Sequence, residues 1–185
     1  SGNITYGGSK AEGLIAGLNK ILPDGPYNNK SWSITAYDQQ VWIAPGGMNN
    51  FNTPQTNEDG YFHFNGTTWL HVKSDEMLNA KDIVHIEVNP SNTSEVYVSS
   101  WFEHPSWGAG ESTRIGMFKM VNDVMSAHYN SENSGLKVRE RIGGSKLDEQ
   151  GNLWVAQGFV NQFFDAQHLD GRDRPRCDAL RAQGR

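Results

Sequence analysis

The residues of this chain that could do catalytic chemistry are scattered along the sequence and form no known catalytic motif. Its six histidines include no H-E-x-x-H pair, and the sequence contains neither a G-x-S-x-G turn nor a phosphate-binding loop. The single cysteine, Cys177, has no second thiol with which to form an internal disulfide. We therefore predict a protein that is not an enzyme, with no catalytic residues, no cofactor and no metal ligands.

Two segments carry side chains that suit ligand binding instead. Residues 45–59 are rich in amides, and residues 100–114 combine aromatic side chains with a carboxylate and an imidazole. An indole can stack on the apolar face of a sugar ring while the polar groups hydrogen-bond its hydroxyls. For Trp101 and Phe102 we favour packing over binding, because they directly follow a predicted strand. The predicted ligand-binding residues are Asn50, Asn52, Glu103, His104 and Trp107.

The composition excludes two classes of partner and favours one fold class. The net charge of -5 lacks the basic surface that a nucleic acid requires, and no stretch approaches the roughly 20 apolar residues of a membrane-spanning helix. Glycine (20) and tryptophan (6) are frequent in the 185 residues, as expected for short aromatic strands joined by many turns. The chain is therefore predicted to be an all-β domain.

A repeated pattern predicts the elements that position these residues. A run of aliphatic, aromatic, aliphatic and small residues occurs three times, about 55 residues apart, a little above the kelch repeat of about 50. Each copy follows another alternating run and a polar turn, as in a hairpin. Trp42 and Trp154 of these runs, and Trp69 farther on, are predicted to lie in the core. The aromatic-centred runs are Val41–Ala44, Val96–Ser99 and Leu153–Ala156, preceded by Trp32–Tyr37, Ile83–Val88 and Ile142–Leu147.

The first two copies continue with a second hairpin. Its first strand begins at a glycine, and its tight turn is Asn65-Gly66 in one copy and Asn122-Asp123 in the other. The Asn-Gly turn predicts positive φ at both of its central residues. Unrelated hairpins of a β-sandwich are the alternative, which the threefold agreement of pattern, turn and spacing disfavours. The second-hairpin strands are Asp59–Phe64 with Thr68–Val72, and Ile115–Met120 with Val124–Tyr129.

A repeat of four short antiparallel strands is typical of a propeller blade. We predict a β-propeller fragment of four-stranded antiparallel blades, about two and a half in number. Strand direction alternates within a blade, so the connections from second to third strand leave neighbouring blades on the same face. Residues 45–59 and 100–114 are such connections and are therefore predicted to line one groove. The boundaries are 31–80 and 81–137 for two blades and 138–165 for a partial blade.

The two ends of the chain lack the repeat. Residues 1–30 are interpreted as the lead-in from a preceding blade. Residues 166–185 are rich in arginine and have neither an aromatic after position 170 nor a strand pattern. We predict a disordered tail there. A short surface helix over Asp178–Gln183 is the alternative.

Several motifs resemble known bacterial propellers. The run Asp148–Val155 resembles the D-x-x-G-N-L-W-[IV] signature of two-component-regulator propeller repeats, the sensor regions of Bacteroidetes hybrid histidine kinases. Leu22–Pro26, Ala44–Gly47 and Tyr129–Ser134 resemble PorZ-type accessory proteins of the type IX secretion system. The resemblance covers about residues 20–160. Proteins of both groups carry many more blades than this chain can form.

The resemblance implies an exported bacterial protein of the periplasm or outer-membrane surface. The PorZ-type likeness covers more of the chain and implies a non-catalytic segment that binds surface polysaccharide or partner proteins of the secretion machinery. The other likeness implies a periplasmic propeller that senses an oligosaccharide and signals to a kinase elsewhere in its chain. Under both interpretations the remaining blades of the parent protein are partners.

A sialidase-like glycoside hydrolase is the least favoured alternative. Sialidase propellers resemble this chain through an Asp-box turn, but Asp148 and Gly151 are separated by two residues instead of one. Sialidases also hold a substrate carboxylate with three arginines. Before Gly171 this chain has only three arginines, of which Arg139 and Arg141 are two positions apart.

Overall fold

The computed structural model describes residues 6–9, 13–16, 19–21, 24–51, 53–102, 116–136, 141–158 and 177–180. These residues form antiparallel sheets, and the one helical element among them is a single 3₁₀ turn, Ser74–Met77. No helix in the described part of the chain is long and apolar enough to cross a membrane. The described strands are β1 (Tyr6–Ser9), β2 (Gly13–Ala16), β3 (Asn19–Ile21), β4 (Ser33–Tyr37), β5 (Gln40–Ala44), β6 (Tyr61–Phe64), β7 (Trp69–Val72), β8 (Ile83–Val88), β9 (Glu95–Ser100), β10 (Met117–Val121), β11 (Val124–Tyr129), β12 (Arg141–Leu147), β13 (Leu153–Gly158) and β14 (Cys177–Leu180).

Two complete four-stranded sheets confirm the predicted blade architecture. Strands β4-β5-β6-β7 form the first sheet, called blade 1, and β8-β9-β10-β11 form the second, called blade 2. Each is an antiparallel meander in which sequence neighbours are also spatial neighbours. Strands β12-β13-β14 form a third, smaller sheet, called the partial blade, and β1-β2-β3 form a three-stranded sheet in the lead-in.

The end of the chain differs from the prediction of a disordered tail. Within residues 166–185 the structure describes Cys177–Leu180, which form strand β14 and pair antiparallel with β13, Leu153 opposite Leu180. Neither disorder nor the alternative helix holds for these four residues. The physical reason is the edge of β13: beyond its pairing with β12, the strand has unpaired backbone groups that a further segment can satisfy.

Tight turns set the register within the blades. Asn122 and Asp123 join β10 to β11 with φ of 51° and 61°, and Asp38 and Gln39 join β4 to β5 with φ of 47° and 64°. Positive φ at both residues marks the hairpin turn that matches strand twist. The prediction for Asn65-Gly66 was wrong, because only Gly66 has positive φ there. The Asn65 side chain instead accepts the amides of Thr67 and Thr68 and closes a longer turn.

The blades pack face to face through two hydrophobic clusters. The first joins blade 1 to blade 2 and includes Trp42, Tyr61 and Phe118, all of them buried. The second joins blade 2 to the partial blade through residues such as Tyr97 and Ile142. In both clusters the aromatic of the repeated run points toward the following blade. Burial of apolar side chains between neighbouring sheets therefore stabilises this fold.

This geometry corrects the placement of two tryptophans. Trp42 is 1% exposed, as predicted, but Trp154 is 42% exposed and Trp69 is only partly buried. Trp154 occupies the position of Trp42 in the repeat, and so it points toward the side where a following blade would lie. No described strand packs against that side, and the indole remains open to solvent.

Neighbouring innermost strands are also joined by hydrogen bonds. The hydroxyls of Ser33 and Thr35 on β4 donate to the backbone oxygens of Val84 and Ile86 on β8, at 2.8 and 2.7 Å. From β8, Glu87 accepts the backbone N–H of Leu147 on β12 at 3.1 Å. These bonds fix the blades side by side along their inner edges, as a propeller requires.

The glycine that begins the third strand of each complete blade has a steric role. Gly60 and Gly116 have φ of 69° and 109°, and a Cβ on either would collide with a carbonyl oxygen of the next strand, that of Val72 or Tyr129. Gly151 has a similar φ of 79°, but a Cβ there would meet no atom within 4 Å. Alanine substitutions at Gly60 and Gly151 can therefore be compared to separate the cost of backbone strain from the cost of steric collision.

We expect Gly60→Ala to lower the free energy of unfolding by about 2–5 kcal/mol, since it adds overpacking to left-handed strain. Gly151→Ala should cost only the strain, about 1–2 kcal/mol. Urea denaturation of both variants measures the difference. Equal losses would show that the close approach of Val72 does not constrain residue 60.

Candidate functional site

Residues 45–51 and 53–59, the described part of the first long connection, fold into a loop beside blade 1. Gly47 accepts a backbone hydrogen bond from Gln55 at 2.8 Å, and Met48 bridges Pro54. The side chain of Asn49 closes the loop tip by accepting the amides of Phe51 and Thr53. Phe51 is 80% exposed at this tip, next to the exposed Asn50.

One buried carboxylate anchors this loop. Asp82, in the connection between β7 and β8, is 0% exposed and accepts the backbone amides of Thr56 at 3.0 Å and Asn57 at 2.8 Å. Its own backbone N–H donates to Asn57, and its carbonyl accepts the amide of Trp101 at 2.8 Å. Burial raises the pKa of the Asp82 carboxyl, which the hydrogen bonds from Asn57 and Thr56 oppose.

Asp82 therefore holds together three connections on one face of the blades. The loop 45–59 contacts its carboxylate, its own segment joins β7 to β8, and the second long connection starts at Trp101. The predicted common face is supported as far as these described residues extend. Sequence reasoning missed Asp82, because a single aspartate among polar loop residues gives no signal of burial.

The loop borders an open pocket of about 520 Å³. Trp32 forms one wall, lies against Gly46 and remains 50% exposed. Lys30 and Asp59 form an ion pair of 2.7 Å at the rim, and Lys81 pairs with Glu58 at 2.6 Å. A half-exposed indole beside paired charges and amides offers a stacking surface surrounded by hydrogen-bonding groups. The other residues lining the pocket are Pro45, Gly47, Met48, Gln55, Thr56 and Asn57.

The predicted ligand-binding residues are only partly located by the structure. Asn50 is exposed near the loop tip, but it is not among the residues lining the pocket. Asn52, Glu103, His104 and Trp107 lie outside the described residues. Sequence analysis overlooked Trp32, which it assigned to a strand. The tryptophan lies instead just before β4, where its ring is free to face the loop.

Trp101 and Phe102 pack between elements, as predicted. Phe102 is buried, with the ammonium of Lys81 5.5 Å from its ring center. The ring of Trp101 lies so close to Gly143 and Gly158 of the partial blade that a Cβ on Gly158 would collide with it. The guanidinium of Arg141 lies 5.7 Å from the same ring. These two aromatics therefore join blade 2 to its neighbour and to the loop face.

The signature run that begins at Asp148 is a structural turn. The Asp148 carboxylate accepts the backbone amides of Gln150 and Asn152 at 3.0 and 2.7 Å, and the indole N–H of Trp154 at 2.9 Å. The hydrogen bond from Trp154, followed by that from Asn152, lowers the pKa of this carboxyl. Asp, Gly, Asn and Trp at this spacing thus build the hairpin between β12 and β13.

Among the residues that the structure describes, no three histidine, cysteine, aspartate or glutamate side chains are grouped so that they could hold a metal ion. His63, His71 and His85 each contact a protein group instead, respectively Asp123, the backbone of Asp59 and the backbone of Ser145. These contacts give the three histidines a structural role.

Comparison with solved structures finds a similarity to PorZ, described as an essential bacterial surface component of the type-IX secretion system of Porphyromonas gingivalis. The TM-score is 0.58 and the sequence identity 19%, over 81% of this chain. The chain folds like a segment of PorZ. It spans about a fifth of that protein, 20% of the PorZ chain. No family model and no curated protein matches the sequence. The likeness to PorZ agrees with the propeller fold predicted from the repeats.

Proposed function

We propose that this chain is a non-catalytic propeller segment of an exported bacterial protein, which binds surface polysaccharide through the face formed by its long connections. The observation that carries the proposal is the pocket beside Trp32, where a half-exposed indole stands among amides and paired charges. The PorZ-like fold supports a place at the cell surface and in secretion. The ligand residues predicted in both loops, Asn50, Asn52, Glu103, His104 and Trp107, belong to the same proposal.

The matched charges in the pocket favour a polysaccharide ligand over a strongly ionic one. Lys30 is paired with Asp59, and Lys81 with Glu58, so the rim offers hydrogen-bond donors and acceptors with little net charge. Sugar hydroxyls suit such a rim, and the Trp32 indole suits the apolar face of the ring. Partner proteins of the secretion machinery remain a second class of ligand, for which the exposed Phe51 at the loop tip is a suitable anchor.

We expect Trp32→Ala and Trp107→Ala each to weaken polysaccharide binding about 5- to 150-fold, the effect of losing 1–3 kcal/mol from an aromatic anchor. Tyr37→Ala is the matched control, since Tyr37 is a 43% exposed aromatic at the far end of β4, the strand that Trp32 precedes. A glycan array selects the ligand, and calorimetric titration measures each variant. Binding that is insensitive to both tryptophans, or equally sensitive to Tyr37, would contradict the proposal.

A further inference from the structure

The turn between β6 and β7 contains the chain's only asparagine that is followed by glycine, Asn65-Gly66. The four residues from Asn65 to Thr68 are all exposed to solvent. The side-chain oxygen of Asn65 accepts the backbone amides of Thr67 and Thr68, both at 3.0 Å, and its backbone N–H donates to the Thr68 carbonyl at 3.2 Å. The Asn65 carboxamide is therefore held against the backbone that follows it.

The two hydrogen bonds to this oxygen make the carboxamide carbon more reactive. N–H groups that donate to a carbonyl oxygen stabilise the negative charge that forms on it when a nucleophile adds to the carbon. The nucleophile next in the chain is the backbone nitrogen of Gly66, whose N–H donates to no group that the structure describes. Its attack on Cγ of Asn65 closes a five-membered ring, an intramolecular step that needs no second molecule.

Glycine at position 66 leaves the path of this attack open. Gly66 has φ of 91° and no Cβ that would obstruct the approach of its nitrogen to the Asn65 side chain. A similar arrangement occurs at Asn49, whose side-chain oxygen accepts two backbone amides at 2.9 and 3.0 Å. There the next residue is Asn50, which carries a side chain beside its nitrogen. Asn49 is therefore an internal control with a similarly bonded carbonyl and a more hindered nucleophile.

We propose that Asn65 is a site of spontaneous deamidation in the folded protein. The backbone nitrogen of Gly66 forms a bond to Cγ of Asn65, and the side-chain nitrogen leaves as ammonia with the proton that the Gly66 nitrogen loses. Water then opens the resulting succinimide at either of its two carbonyl carbons. Opening at one carbon gives aspartate, and opening at the other gives isoaspartate, in which the backbone runs through the former side chain.

The two products differ in their effect on the turn. Aspartate keeps an acceptor for the amides of Thr67 and Thr68 and adds a negative charge, which strengthens such hydrogen bonds. Isoaspartate adds one carbon to the backbone between β6 and β7 and displaces that acceptor. Phe64 and Trp69, whose ring centers are 5.4 Å apart, lie at the two ends of this turn. Isoaspartate should therefore disturb their contact, and aspartate should preserve it.

Incubation of the folded chain at mildly alkaline pH, followed by peptide mapping with mass spectrometry, tests the proposal. Asn65 should deamidate about tenfold faster than Asn49 or more, which corresponds to about 1.4 kcal/mol in activation free energy. Retention of the Asn65 amide in the folded chain, or equal rates at Asn65 and Asn49, would overturn the proposal.

Two variants show whether the reaction follows the proposed route. Gly66→Ala adds a methyl group beside the nucleophile, where the one neighbouring atom within 4 Å is the Gln39 carbonyl oxygen at 3.7 Å, and should slow deamidation about tenfold. An unchanged rate in Gly66→Ala would overturn the proposal as well. Asn65→Asp reproduces one product and should keep the melting temperature of the unreacted chain, while the isoaspartate form, separated by ion exchange, should melt at a lower temperature.

Discussion

Trp42→Ala should lower the free energy of unfolding by about 3–5 kcal/mol, the cost of removing a fully buried large aromatic. The same substitution at Trp154 should cost only about 1–2 kcal/mol, because that indole is 42% exposed. The two residues occupy the same position of the sequence repeat, so each variant is the control for the other. The difference arises from the neighbour: Trp42 packs against blade 2, and no described strand covers Trp154.

Chemical denaturation followed by circular dichroism measures both variants on the same chain. A loss at Trp154 as large as that at Trp42 would show that another part of the protein covers the partial blade. Trp42→Phe separates packing from hydrogen bonding. It keeps an aromatic ring in the core and removes the indole N–H, which is buried and has no hydrogen-bond partner among the described groups, so it should cost clearly less than Trp42→Ala.

The repeat made most of the fold predictable. Strand β8 has the predicted bounds, Ile83–Val88, and β11 matches Val124–Tyr129. These strands alternate apolar and polar residues between polar turns, and local pattern is enough to define such elements. The glycine that begins the third strand of each blade was also a dependable signal. A side chain at this position would collide with the next strand of the same blade, so the need for glycine does not depend on how the blades pack together.

What the sequence could not predict depends on contacts between blades. The repeated run gives Trp42 and Trp154 the same pattern, but their burial depends on whether another sheet lies alongside. The pairing of β14 with β13 likewise depends on an unpaired edge, which composition does not reveal. The turn at Asn65 follows from the Asn65 side chain accepting two amides, which competes with the two-residue turn that Asn-Gly favours.

The part of the candidate site that the sequence predicted and the structure describes is the face on which the long connections lie. Alternating strand direction placed the long connections together, and the contacts of Asp82 agree with that placement. The exposed aromatic that lines the pocket, Trp32, begins a run of residues with a strand pattern, and so the sequence analysis assigned it to the strand.

Asp82→Ala should lower the free energy of unfolding by about 3–5 kcal/mol. The carboxylate is fully buried and accepts the amides of Thr56 and Asn57, so its removal leaves two donors unpaired at about 1–3 kcal/mol each. The loop 45–59 also loses its main attachment to the rest of the face. We therefore expect polysaccharide binding at the Trp32 pocket to be lost together with stability.

Asp82→Asn is the matched control, because the amide keeps one acceptor oxygen at nearly the same volume. It should cost about half as much as alanine, since one of the two amides keeps its hydrogen bond. Hydrogen exchange locates the effect: the Thr56 and Asn57 amides should exchange much faster in Asp82→Ala, while β9 amides such as that of Val98 keep their protection. Unchanged exchange at Thr56 and Asn57 would show that the loop is held by something other than this carboxylate. Faster exchange throughout β9 would show that Asp82 stabilises the whole fold and not only the loop face.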